Sequence, residues 1–285
     1  MITVELVKAF SKEGKGGNPA GVVFNANVLS DANMQDTAER VGYSETAFVL
    51  PSEKADYQVR FFTPNAEVDL CGHATIATFS SMLLNGMIKP GQISQETKAG
   101  VLKLDLKEDN TVIMQQAKPE FFEKPDSEEI LRSLGLSLDA KHESLPIQIV
   151  STGLRDLFVP LRSKAYLEGI KADFARIREI SKKLDVTGYH VFVLDAPEGY
   201  TAACRNFAPL YDIPEESATG TSSGALAAYL WTHEAVKTPL MKFVQGVEMG
   251  SPSEIQAELK IIDAQIDEVW VGGKAHITGK KEFQV

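Results

Sequence analysis

The chain repeats itself at about half its length. SETAFVL at 44–50 returns as GYHVFVL at 188–194, an offset of 144 residues. RFFTP at 60–64 returns as RNFAP at 205–209, an offset of 145. CGHATIATFSSML, beginning at Cys71, returns as TGTSSGALAAYLW, beginning at Thr219, an offset of 148. KAGV at 98–101 returns as VQGV at 244–247, an offset of 146. Four matches in one order, with so little drift, indicate a duplication. A period near half of 285 residues means two sister domains, not a stack of short repeats.

Each half carries the same order of signals. An amphipathic helix is expected at DANMQDTAERVG in the first half and at DFARIREISKKLD in the second. A short apolar strand follows, AFVL or VFVL, then an aromatic strand ending in Pro, an acidic loop and a small-residue helix opened by Gly. VLKLDL at 101–106 and TVIMQ at 111–115 alternate as a hairpin with KEDN at its turn. Pro119 and Pro125 flank the expected junction, giving domains 1–120 and 121–285, with a possible return of the C-terminal strand to the first. The class is α+β, two pseudo-symmetric domains with sheets wrapped around one central helix each.

Composition narrows the partners. The net charge is −10 without a dense Lys/Arg run, which argues against nucleic acid or an anionic membrane surface. Two cysteines, Cys71 and Cys204, and an opening that reads as a strand suggest reduced thiols in a cytoplasmic protein. The longest apolar stretch, residues 225–231, is too short to span a bilayer.

The two small-residue helices carry the functional expectation. Helices so apolar on several faces belong inside their sheets, yet their first N–H groups have no intrahelical partner and sit at the positive end of the dipole. Gly72 and Gly220 allow close approach of a ligand. Gly72, His73, Gly220, Thr221 and Ser222 therefore line two matched anion sites suited to a small carboxylate. The sister loops differ chemically. Glu45 is matched by Tyr189 and His73 by Thr221, so one half supplies the base and the other mainly orients substrate. Burial would raise the Glu45 pKa and nearby N–H groups would oppose it, a balance suited to proton abstraction.

These residues resemble the PhzF-like branch of the diaminopimelate epimerase fold. GNPAGVV at 17–23, SETAFV at 44–49, FFTPNAEVDLCGHATIA at 61–77, ESATGTSSGAL at 216–226 and QGVEMGSPS at 245–253 follow that family's order and spacing. The resemblance implies two barrel-like, mostly antiparallel sheets, each around a central helix, with the active site between the domains. It also implies homodimers and proton-shift isomerisation without metal or organic cofactor. Carried over residue by residue, the catalytic set is Glu45, His73 and Glu216. The substrate-binding set is Asn18, Gly72, Ala74, Gly220, Thr221 and Ser222. Two departures stand out: ESATG where the family has DPATG, and Ser251 where it commonly has Arg. The epimerase relatives place a thiol at each helix start; here Cys71 holds the first place and Thr219 the second, which argues against two-thiol racemisation.

Other chemistries fit less well. No two of His73, His142, His190, His233 and His276 have the spacing of a metal site, so no metal is assigned. GKGGN at 14–18 lacks the Lys-Ser/Thr of a phosphate loop. The expected function is a cofactor-independent isomerase moving a proton on a small carboxylate-bearing metabolite. The alternative is a non-catalytic metabolite-binding protein that retains the fold.

Overall fold

The computed structural model describes residues 1–284. The chain forms two compact units, residues 1–115 with 272–285, and residues 116–271. The sequence placed the junction after residue 120; the division falls after Gln115, and the strand left open at the C-terminal end lies in the first unit.

The first unit contains β1 (Ile2–Ala9), β2 (Asn18–Val23), α1 (Asp31–Val41), β3 (Glu45–Leu50), β4 (Tyr57–Phe62), β5 (Glu67–Val68), α2 (Gly72–Leu84), β6 (Gly91–Thr97), β7 (Gly100–Leu106) and β8 (Val112–Gln115). The second contains β9 (Glu120–Phe121), α3 (Ser127–Ser133), β10 (Gln148–Ser151), β11 (Arg155–Pro160), α4 (Lys164–Glu168), α5 (Phe174–Leu184), β12 (Tyr189–Val193), β13 (Ala202–Ala208), β14 (Ile213–Glu216), α6 (Gly220–Thr232), β15 (Leu240–Gln245) and β16 (Ser253–Ile262). β17 (Gln265–Gly273) carries the chain back, and β18 (Ala275–Phe283) pairs antiparallel with β1.

Strand pairing reproduces the duplication. In the first unit β2 runs parallel to β3, β3 antiparallel to β4, β4 antiparallel to β5 and parallel to β6, and β6 antiparallel to β7. In the second, β11, β12, β13, β14, β15 and β16 repeat that sequence of senses pair for pair. β7 and β8 form the expected hairpin, closed by the Lys107 N–H bond to the Thr111 carbonyl and by Asn110 at φ 64°.

The helices form where the local chemistry directs them. Residues Met34, Thr37, Ala38 and Val41 make one buried face of α1, packed on Phe48 and Phe62. Ser30 caps its start through its side chain, and Gly42 ends it at φ 74°. In the second unit α5 packs against Tyr189, Val191 and Phe207. By contrast, α2 is enclosed: every residue from His73 to Leu83 is buried, and the helix packs on β1, β2, β3, β8 and β18. Small residues permit that enclosure, and its hydroxyls turn inward. Thr75 and Thr78 donate to the carbonyls of Cys71 and Ala74 at 2.9 and 2.7 Å. α6 has the same length of 13 residues and is buried from Ser222 to Leu230. Among the described residues no helix is long and apolar enough to cross a membrane.

Candidate active site

An arginine fork precedes each central helix. Arg60 on β4 grips both carboxylate oxygens of Glu67 at 2.7 and 2.9 Å, and Arg205 on β13 grips those of Glu215 at 2.9 Å each. Such planar pairing fixes direction as well as distance. It ties each hairpin down before the chain enters α2 or α6. The match places Glu67 opposite Glu215, an offset of 148, so Glu216 falls opposite Val68. Each unit therefore has an acid that its sister lacks, Glu45 in one and Glu216 in the other.

Both central helices begin without a side-chain cap: neither Cys71 at the first nor Thr219 at the second bonds the opening N–H groups. The surface helices α1, α3 and α5 are all capped by Ser or Asp. The first intrahelical bonds start at the Thr75 and Ser223 N–H groups. The N–H groups of Gly72, His73 and Ala74, and those of Gly220, Thr221 and Ser222, thus have no partner within their helices.

In the first unit Glu45 opens β3 and meets the start of α2. Its Oε2 lies 3.1 Å from His73 Nε2. That approach is an ion-pair contact, and Oε2 is buried without a well-aligned hydrogen bond. The side chain keeps 20% of its exposure, which falls on its other atoms. The carboxylate is thus anchored on its inner oxygen and accessible on the remainder. Cys71 Sγ lies 3.4 Å from His73 Nδ1, and Ser44 Oγ lies 3.5 Å from Nε2.

The charges set each other. Burial pushes the Glu45 pKa up, but contact with His73, aided by Ser44 and Cys71, outweighs it and holds the carboxyl below its ordinary value. The imidazole, and not the helix N–H groups, supplies the opposing effect. Burial pulls His73 down, yet Cys71 and Glu45 together raise its pKa well above the ordinary value. Burial, reinforced by Glu45, raises the Cys71 thiol. These shifts favour a carboxylate paired with an imidazolium.

The second unit assembles a different set. The Thr219 hydroxyl donates to Glu216 at 3.3 Å and accepts from the Gln245 amide at 3.0 Å, while that amide also donates to the Glu216 carbonyl at 2.7 Å. Ser222 donates to Asp156 at 2.6 Å, and Thr152 donates to the Thr221 carbonyl at 3.0 Å. Gly246 brings the QGV loop onto this start at φ 75°; a Cβ there would lie 2.7 Å from the Ser217 carbonyl oxygen. Burial raises Asp156 to about 7.

The other expected residues, and the matches of the site residues in the second unit, are placed as follows. Tyr189, the match of Glu45, is fully buried in the core formed by β12, α3 and α5, and its hydroxyl is 3.5 Å from Ser133 Oγ. Cys204 is buried on β13. Asn18 is buried at the start of β2, two residues before Ala20, the strand partner of Glu45. Ala74 is fully buried in the first turn of α2. Ser44 and Gln245 open two of the matched motifs without being distinguished as site residues there, and Asp156 lies in none of them; the forks were visible as the leading Arg of each RFFTP-like match. A groove of about 620 Å³ is lined by Pro119, Phe121, Trp231 and Ile266. It lies at the far end of α6 from Thr219, away from this chemistry.

The profile of a family described as phenazine biosynthesis-like protein, PhzC-PhzF, matches residues 7–280. The chain belongs to the PhzF family. An uncharacterized isomerase of Clostridium acetobutylicum is 34% identical over 290 residues, covering 97% of the chain and 96% of that protein. The trans-2,3-dihydro-3-hydroxyanthranilate isomerase of Pseudomonas aeruginosa is 32% identical over 276 residues, covering 94% of each. The crystal structure of the Bacillus anthracis PhzF-family phenazine biosynthesis protein superposes with a TM-score of 0.90 at 31% identity, over 100% of the chain and 99% of the other. A probable proline racemase from Agrobacterium radiobacter K84 shares the fold, with a TM-score of 0.64 at 13% identity, covering 100% and 93%. This PhzF-family chain is an isomerase with the epimerase-like fold of those neighbours.

Proposed function

We propose that the protein shifts a proton on a small carboxylate-bearing metabolite, with Glu45 as the general base. The observation that carries this is the Glu45–His73 pair beside an uncapped helix start. The N–H groups at the start of α2, which have no intrahelical partner, suit a substrate carboxylate without needing Arg or Lys. Glu45, already ionised, takes a proton from the carbon acidified by that carboxylate or by an adjacent double bond. The His73 imidazolium keeps the base ionised and supplies positive charge as negative charge grows on the substrate. Protonation at a second carbon, by Glu45 itself or by a second acid, completes the isomerisation. In this reading the second acid is Glu216, with Gly220, Thr221 and Ser222 as its accompanying donors. All protons come from and return to side chains, so the proposed reaction requires no cofactor. Asn18 is proposed to help orient the substrate, as the family resemblance implies.

The test measures solvent deuterium entering a panel of small carboxylates, with trans-2,3-dihydro-3-hydroxyanthranilate as its first member. Wild-type protein incorporates deuterium into the substrate it turns over. Glu45→Gln, folded as judged by circular dichroism, loses exchange by about 10²–10⁴-fold or more. Exchange at the wild-type rate in that variant removes Glu45 from the role of base.

A further inference from the structure

We propose that Asp156 is a positioning residue for the α6 half of the site, acting through Ser222 to set how strongly the start of that helix holds a substrate carboxylate. The turn between β10 and β11 clasps the first turn of α6 at two successive residues. Thr152 donates to the Thr221 carbonyl at 3.0 Å, and Ser222 donates to Asp156 at 2.6 Å. Asp156 is only 2% exposed, so it acts on a ligand through the helix turn that carries Ser222 and not by touching it. The sister half shows that the fold does not need this pair. Ala20 pairs with Glu45 across neighbouring strands as Leu157 pairs with Tyr189, so Asp156 takes the place of Pro19. Ser222 takes the place of Ala74, an offset of 148. The first unit thus builds the same strand and helix with no polar side chain at either position. A carboxyl costs free energy to bury, so its presence in one half alone marks a use beyond support.

That use is electrostatic. As the neutral acid, Asp156 leaves the positive end of α6 uncompensated. As the carboxylate, it sets a negative charge one hydrogen bond away from that end. Among the described residues, the charge that bears on Asp156 is that of Glu216. Arg155, its neighbour on β11, turns instead to the Phe122 ring, Glu123 and Asp185. β10 sets Val150 opposite it, and the Tyr189 hydroxyl on β12 faces Ser133. Burial together with the Glu216 charge raises Asp156 to about 7, so the change of state falls near neutrality. The consequence rests on the proposed reaction: the KM for a carboxylate substrate rises as Asp156 ionises.

The hold of Asp156 on the helix is tested without substrate, by NMR of the full-length chain labelled with ¹³C at serine and glycine. The Ser222 Cβ resonance, identified by its loss in Ser222→Ala, and the Gly220 Cα resonance are expected to titrate together with a midpoint near pH 7. In Asp156→Asn, which keeps an acceptor for Ser222, both stay fixed. Resonances that do not move between about pH 5 and pH 9, or that move alike in Asp156→Asn, overturn the proposal. For the first carboxylate of the panel that the wild type turns over, KM is expected to rise about tenfold from pH 6 to pH 9, and by less than about twofold in Asp156→Asn. An equal rise in the two proteins overturns the positioning role. A ¹³C titration alongside no deuterium exchange in any member of the panel keeps the hold of Asp156 on α6 and rejects the proposed reaction.

Discussion

At the start of α2 a carboxylate, Glu45, meets an imidazole; beside the start of α6 a buried carboxyl, Asp156, meets the Ser222 hydroxyl and the charge of Glu216. Burial opposes ionisation of both. His73 overcomes it for Glu45, which is held below its ordinary pKa, whereas Asp156 is raised to about 7. Two helices of equal length, approached by the same arginine forks, thus shift the pKa values of neighbouring acids in opposite directions. Duplication preserved the frame, and the chemistry diverged through the side chains around each helix start.

The comparison is broken most severely by removing the proposed base, and Glu45→Gln carries the largest expected loss. Next is His73→Asn. Without the imidazole, burial dominates and the Glu45 pKa rises. In the wild type the acidic limb of kcat/KM lies below the ordinary glutamate value, because the base stays ionised to lower pH. In the variant that limb moves toward neutrality, and the rate at pH 7 falls about 10–100-fold. A pH profile that keeps its wild-type limb would show that His73 does not govern the base.

On the other side of the comparison, Asp156→Asn is read by stability. A carboxyl with a folded pKa near 7 and an unfolded one near 3.9 binds more protons when folded across that interval. Stability therefore falls as pH rises from about 4 to about 7. The variant, which can still accept from Ser222, is expected to match wild type below about pH 4 and exceed it by about 2–4 kcal/mol at pH 8 in urea unfolding. An equal difference at both pH values would mean that Asp156 does not titrate in this window.

The forks supply a further contrast. Arg205 is more enclosed than Arg60 and also donates to the Leu167 carbonyl at 3.1 Å, whereas Arg60 adds a contact to the exposed Asp31. Arg205→Met is expected to cost about 2–3 kcal/mol and Arg60→Met about 1–2, both discounted for partial solvent screening. Equal midpoints in urea would show that the two forks carry the same load. Smallest is Tyr189→Phe, which deletes a hydroxyl 3.5 Å from its nearest partner; below about 1 kcal/mol in stability and no change in exchange are expected. A large loss of exchange would place Tyr189 in the chemistry after all.

Much of this was visible in the residues. The offset of SETAFVL against GYHVFVL marked the duplication, small-residue composition marked α2 and α6 as enclosed, and Gly72 and Gly220 marked their starts. The contact between Glu45 and His73 was not, because it joins residues 28 positions apart through the packing of β3 on α2. Asp156 sits within an apolar strand where nothing local distinguishes a buried acid from an exposed one; its burial, with the nearby Glu216 charge, raises its pKa against the Ser222 hydrogen bond. Offsets between halves locate equivalent backbone, but side-chain contacts depend on tertiary packing.

β18 gives the architecture a temporal consequence. Residues 275–283 complete the sheet of the first unit beside β1, and Lys280 pairs with the buried Glu5 at 2.8 Å. On the ribosome, all of the second unit emerges before that strand. The nascent first unit must therefore wait with an unpaired β1 edge, exposed to mispairing, until translation reaches its last strand. The second unit, formed from one continuous stretch, faces no such delay. The half that holds Glu45 begins first and closes last.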